Sequence, residues 1–453
     1  MALRELTATE QPTAGPTVVH RPTVVPSSAS AGLATPATGS ITLAAEHFAA
    51  ATLYLLAGAV GLVWIAPQLA AGMFLEPHVA GVTHLFTLGW LTTTIFGALC
   101  QLLPVALGAP VRWPRVAHAS FWTFATGAGL FACGVAANAM MLHHGGIALI
   151  TTGITLAAVN IVSSLRRARS RDATWAAIVL ALSFLVSTLG LGLVLLHNLH
   201  TGFIAAARVQ VLATHLHVAI VGWALVMIVG VSHRLLPMFL LAHGVDTRWT
   251  KRSLLLLSTG VPVLAVGLNV PASHLTWPGA LLLAGGLWCF ARQAYGFYRA
   301  RIRKRIDVGM RFAGTAISFL LLASVLGLAL LVRGPTSTRV ATAYVLLGLL
   351  GGIVMYVVGF FYKIVPLLAW TVKYRGRMGK SGVPTVADMF SARVAILQLG
   401  AMATGVALLT VSILAASTLG ARVGALLFLS GVLLFISQLV RIAFGGRLEA
   451  ANG

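Results

Sequence analysis

Fourteen histidines stand beside only nine carboxylates in this chain of 453 residues, and several lie where an imidazole could hold a metal. His84 opens the apolar stretch HLFTLGWLTTTIFGALCQLLP, residues 84–104, and His215 and His217 open a second one that runs to Pro237. An ionisable side chain at membrane depth marks a functional site by default, and neutral imidazole is the commonest protein ligand for transition metals. His215 and His217 are separated by about 200° around a helix. They point to opposite sides and cannot share one metal from an unbroken helix, so each must serve a different neighbour. His233 lies 16 residues beyond His217, about 24 Å along the same helix, and reads as a polar residue at the far interface. A second set, His78, His143, His144, His197, His200 and His274, falls in the connections between apolar stretches. His197 and His200, at i and i+3, could bind one metal if their stretch is helical. His143 and His144 form an adjacent pair. The alternative for this set is solvent-exposed loop histidines.

Apolar helices must position these residues. The chain is 58% hydrophobic and 9% charged, against roughly 25% charged in soluble domains, so it reads as an all-α polytopic membrane protein. Stretches able to cross a hydrocarbon core roughly 30 Å thick fall at about 47–72, 82–106, 117–137, 145–165, 175–196, 211–240, 253–270, 276–298, 312–332, 340–370, 392–416 and 422–445. That makes twelve expected transmembrane helices. The net charge of +22 is distributed by topology: RRARSR (166–171), RARIRKR (299–305) and KYRGRMGK (373–380) all lie in even-numbered connections. By the positive-inside rule, those loops and both termini are expected to be cytoplasmic, in a bacterial-type inner membrane. The charge therefore implies a lipid bilayer as partner and no nucleic acid. Arg208, Arg333, Arg339 and Arg422 remain on the opposite side. Residues 1–44, rich in Thr, Ala, Pro and Ser, read as a disordered tail, and 447–453 as a short second one. Cys100, Cys133 and Cys289 stand singly, with no disulfide, zinc-knuckle or c-type haem spacing.

The histidine-bearing stretches are related. Counting from His84 and from His217, both have Gly at +5, Trp at +6, Gly at +13 and Leu-Leu-Pro at +18 to +20. A third stretch, 346–366, repeats Gly at +5 and +13 and Pro at +20, with Leu346 at the histidine position. Position +17 is polar in all three, as Gln101, Arg234 and Lys363. The copies fall in helices 2, 6 and 10, which implies a single membrane domain, 45–446, of three pseudo-symmetric four-helix repeats at about 45–170, 171–306 and 307–446. Close helix packing by small residues is the alternative reading of the individual glycines.

Twelve helices in three four-helix arcs, with a histidine near the outer end of helix 2, resemble subunit I of the haem-copper oxidase and nitric oxide reductase superfamily. The resemblance covers roughly 45–446. It implies that His84 is an axial ligand of a low-spin haem and that His215 or His217 takes the place of a helix 6 copper ligand. Other family ligands are missing. Helix 7 lacks paired copper histidines, helix 10 lacks its haem histidines, and no carboxylate lies deep in a membrane segment, which argues against a conventional proton pump.

Two imidazoles at one level on helices 2 and 6 suit bis-histidine ligation of haem b, and the expected pair is His84 with either His215 or His217. The opposed HLH pair is similar to the family's helix 10 histidines that serve two haems, so one haem b or two are expected, with copper as a further candidate. The outer arginines Arg208, Arg333, Arg339 and Arg422 would pair with haem propionates or with lipid phosphates. The metal candidates are His84, His215, His217, His143, His144, His197 and His200. The leading reading is electron transfer or diatomic gas (O2 or NO) chemistry near the extracytoplasmic face, with a cytochrome c, cupredoxin or quinol as redox partner. The competing readings are a copper-handling protein or small-molecule transporter on the same scaffold, and a cofactor-free protein whose histidines join helices.

Overall fold

The computed structural model describes residues 38–334, 337–378 and 380–451. Of the two expected tails, residues 1–37 and 452–453 lie outside the described residues. Twelve long helices follow in order among those described: α1 (Thr38–Trp64), α2 (Pro77–Leu107), α3 (Pro114–Ala136), α4 (Met140–Leu165), α5 (Ala173–Thr201), α6 (Ala205–Leu240), α7 (Arg248–Asn269), α8 (Thr276–Arg299), α9 (Val308–Arg333), α10 (Thr338–Arg377), α11 (Ala392–Leu414) and α12 (Thr418–Ala451). Eleven are long and apolar enough to cross a bilayer. The exception is α8, 24 residues long, whose hydropathy is diluted by Arg292, Gln293, Tyr295, Tyr298 and Arg299. The chain is thus an all-helical, multi-pass membrane protein.

Several boundaries differ from the hydropathy reading, and each difference has a local cause. The expected helix 47–72 divides at Ile65 into α1 and a short helix, Ala66–Ala71. Pro67 has no N–H to offer the Val63 carbonyl, and its ring clashes there. The histidine connections are largely helical. His143 and His144 sit in the first turns of α4, His197 and His200 in the last turns of α5, and His78 at the start of α2. Apolar content runs out before the backbone hydrogen-bond ladder does. What stops α5 is Gly202, which adopts a left-handed φ of 68° and donates to the Asn198 carbonyl; glycine takes that conformation without a Cβ penalty.

At the centre of the bundle α2, α6 and α10 meet. Trp223 Nε1 donates to Thr92 Oγ1 at 3.1 Å, Ser232 and Tyr356 share a hydrogen bond of 2.6 Å, and Trp90 packs on Phe361 with ring centroids 4.9 Å apart. The most apolar windows of α2 and α10 are 67% and 83% buried, against 17% for α9, which places the first two inside and α9 at the rim. Each of the three central helices contains a π-helical segment of 8 residues: Leu85–Thr92, Val218–Leu225 and Leu347–Val354. These begin one residue after His84, His217 and Leu346. In the first, Thr92 and Thr93 hydroxyls bond carbonyls five residues back, at 2.9 and 3.1 Å. Such segments are often found at functional sites.

The +5 and +13 glycines explain how the central helices seat. A Cβ at Gly89, Gly222 or Gly351 would lie 2.5, 2.6 or 2.9 Å from the Cγ of Tyr54, Phe184 or Phe319. A Cβ at Gly97, Gly230 or Gly359 would lie 2.5, 2.0 or 2.6 Å from the Cβ of His47, Ala177 or Phe312. Both glycines of each helix press on α1, α5 or α9, on residues spaced seven apart. Small residues permit this close approach, which van der Waals packing rewards in a membrane. Position +17 is also tied: Arg234 pairs with Asp172, which caps α5, and Lys363 pairs with Asp307, which caps α9.

Candidate functional site

His84 lies two turns into α2, at the end of the bundle where α4 and α6 begin and α5 closes. Its Nδ1 bonds the Ala80 carbonyl at 2.7 Å. A carbonyl only accepts, so Nδ1 carries the proton and Nε2 keeps its lone pair. Phe131 of α3 packs edge-on against the ring, centroids 5.0 Å apart.

His215 and His217 face opposite ways, as their spacing requires. The His215 ring turns towards α5, where its Cε1 would be 3.4 Å from a Cβ at Gly192. Its Nδ1 is buried without a hydrogen-bond partner. His217 instead faces α10. Its Nδ1 donates to the Ala213 carbonyl at 2.7 Å, and its Nε2 accepts from the Tyr344 hydroxyl at 3.0 Å. That bond occupies the lone pair a ligand would need. His217 thus faces α10 with both ring nitrogens engaged, whereas His215 faces α5. His217 and Tyr344 line a mostly apolar cavity of about 180 Å³ between α6, α7, α8, α9 and α10.

The signal for Tyr344 lies in the alignment of the three stretches: it sits two residues before Leu346, the position that His215 holds before His217. The third stretch lacks histidine but has a polar ring two positions before the histidine position.

A separate cluster joins α4 to α5. Ligand-capable nitrogens of His143, His144 and His200 all lie within 4.8 Å of one another, and His143 Nε2 stands 3.2 Å from His200 Nε2. His197 does not take part, because its ring packs on Phe203 with centroids 5.2 Å apart. The i, i+3 pairing of His197 with His200 thus gives way to a pairing of His200 with the α4 histidines. His78 packs edge-on against Trp64, and His274 is exposed in the α7–α8 connection.

Among the arginines, Arg333, Arg339 and Arg422 are exposed, whereas Arg208 is half-buried. Arg208 lies seven residues before His215, on nearly the same face of α6. None of the four forms an ion pair with a carboxylate among the described residues. His233 lies at the opposite end, beside the Asp172–Arg234 pair. There, burial pushes the Asp172 carboxyl up, but the Arg234 guanidinium and the N–H groups of Trp175 and Thr174 outweigh it and hold it below its ordinary value of 3.8.

No protein-family model matches this chain, and no curated protein matches it significantly. Fold and site together define a multi-pass, all-helical membrane protein with imidazoles concentrated at one end of its bundle.

Proposed function

We propose that this protein binds haem b, which His84 of α2 and His215 of α6 would hold, and serves electron transfer or diatomic gas chemistry. The observation that carries the reading is the state of the ring nitrogens. His84 has its Nδ1 proton committed to a backbone carbonyl, which leaves Nε2 basic and oriented. His215 has a buried Nδ1 with no partner. The donor set fits haem b, since each axial position takes one neutral imidazole and neither ligand needs a carboxylate nearby. Bound there, haem supplies one-electron chemistry; the chain's own contribution is to fix ring orientation and exclude water. Arg208, on the His215 face, would hold a propionate, whereas the exposed Arg333 and Arg422 fit lipid phosphate better. The cavity beside His217 and Tyr344 is of a size and polarity for a small apolar ligand, which a gas-handling role requires.

The wider reading is a twelve-span protein in which α8 also crosses, built from three four-helix repeats (α1–α4, α5–α8, α9–α12) and related to haem-copper oxidase subunit I. Its support is the shared register of the +5 and +13 glycines, the three π-helical segments and the helix-capping aspartates, Asp172 and Asp307, that pair with position +17 in two of the copies. With the basic connections inside, the histidine end faces the extracytoplasmic side of a bacterial-type inner membrane, where a cytochrome c or cupredoxin would dock or a quinol approach.

The visible spectrum of the purified protein tests this reading. A reduced α-band is expected in the wild type and in His217→Ala, and its loss in His84→Ala and His215→Ala. Carbon monoxide should perturb the reduced spectrum only if an axial position opens. A colourless protein, produced with ample haem, overturns the assignment.

A further inference from the structure

We propose that His143, His144 and His200 form a binding site for a divalent late transition metal, Cu(II) by preference, which clips α4 to α5. This inference stands apart from the haem reading, because it uses other residues and another pair of helices. Two features of the geometry carry it. With metal–nitrogen bonds of about 2.0–2.1 Å, imidazole nitrogens sit about 2.9 Å apart when cis on a tetragonal ion and about 3.3–3.4 Å apart on a tetrahedral one. His143 Nε2 and His200 Nε2 are 3.2 Å apart, so two ligands already stand near chelating distance. The third, on His144, is within 4.8 Å of both and needs to move by little more than an ångström.

The second feature is orientation. His144 Nδ1 bonds the Met140 carbonyl at 2.8 Å, which leaves its Nε2 as the lone-pair nitrogen. Buried His143 is held rigidly: the α3 backbone at Gly134 is so near that a Cβ there would meet His143 N at 2.4 Å. His144 and His200 are exposed, so a metal can enter from solvent and keep an open position for water. The three ring centroids form a near-equilateral triangle, 4.7, 5.3 and 5.0 Å apart.

The donor set selects the metal. No Asp, Glu, Lys or Arg occurs between Arg115 and Arg166 or between Asp172 and Arg208, so a hard ion such as Ca(II) or Mg(II) would find no charged oxygen here. Imidazoles suit zinc, nickel and copper, and the Irving–Williams order places Cu(II) highest. The alternative is that His143 and His200 merely share an N–H···N hydrogen bond.

The test uses the full chain purified in detergent, stripped with EDTA and dialysed against CuCl2 or ZnCl2 with a weak chelating competitor. Metal is then counted by mass spectrometry, with iron counted in the same sample. The expected result is one copper per chain, bound more tightly than zinc, with nitrogen superhyperfine structure in the electron paramagnetic resonance spectrum. His144→Ala and His200→Ala are both exposed changes that leave the core intact. Each should weaken binding by more than the roughly 10–100-fold that loss of a ligand's outer hydrogen-bonding partner costs. His197→Ala and His84→Ala should keep the copper. Copper should raise the melting temperature of the wild type and not of His200→Ala. Equal copper in the wild type and both variants, or none in the wild type, overturns the proposal and leaves the hydrogen bond as the whole account.

Discussion

Among the described glycines Gly230 leaves the least room for a side chain, which makes it the sharpest test of the packing. A methyl group at Gly230 of α6 would stand 2.0 Å from Ala177 Cβ of α5, whereas carbon atoms rest at about 3.5–4.0 Å. Gly230→Ala must therefore push α5 and α6 apart by roughly 1.5–2 Å or bend one of them. Overpacking of this kind costs about 1–3 kcal/mol, which outweighs the gain of up to about 1 kcal/mol that alanine brings to a helix interior. Equilibrium unfolding in mixed micelles under an SDS titration measures the change. The compensating double variant, Gly230→Ala with Ala177→Gly, moves the methyl to the other helix and should recover stability to within about 1 kcal/mol, a coupling in the range of contacting pairs. Gly314→Ala and Gly400→Ala meet nothing within 4 Å and should be neutral or stabilising. Because α5 also backs His215 at Gly192 and carries His200, Gly230→Ala should disturb both histidine sites while the double variant restores them. A Gly230→Ala protein as stable as the wild type, or a double variant no better than the single, would refute the contact.

Three further outcomes are expected. Tyr344→Phe leaves His217 Nε2 without its donor and should destabilise the protein by about 1–3 kcal/mol, read in the same titration, while the spectrum assigned to His84 and His215 stays unchanged. Thr92→Val removes the acceptor of the buried Trp223 indole N–H and should cost a similar amount, with a shift in tryptophan fluorescence as a second readout. Asp172→Asn keeps a competent helix cap but loses the charge opposite Arg234. Since the native carboxyl is held below its ordinary value of 3.8, its contribution is complete above that pH and is lost as pH falls through the native value. The wild type should lose stability in that acid range, and Asp172→Asn should show a smaller fall there.

Much of the site was legible because it rests on periodicity. The separation of His215 from His217 into opposite directions follows from helical geometry, and the structure places one against α5 and the other against α10. The +5 and +13 glycines were legible as positions of close approach, and each meets a helix. What escaped was everything that depends on which neighbour a side chain meets. His197 and His200 have good metal spacing, yet Phe203 takes one ring and α4 the other. His143 and His144 looked like loop residues because hydropathy reports apolar content and not hydrogen bonding, and a helix continues until a residue such as Gly202 ends it.

Composition and order along the chain are sufficient to dictate a multi-pass helical protein, since water-free hydrocarbon leaves backbone groups few partners other than those within a helix. Spacing within single helices likewise dictates which histidines diverge. The partners across helices, His217 with Tyr344, and His143 and His144 with His200, lie 56 to 127 residues apart in sequence. No local periodicity encodes such pairs. They arise when glycine-lined helices close to contact and each ring takes the space its neighbours leave, and only the packed bundle decides that.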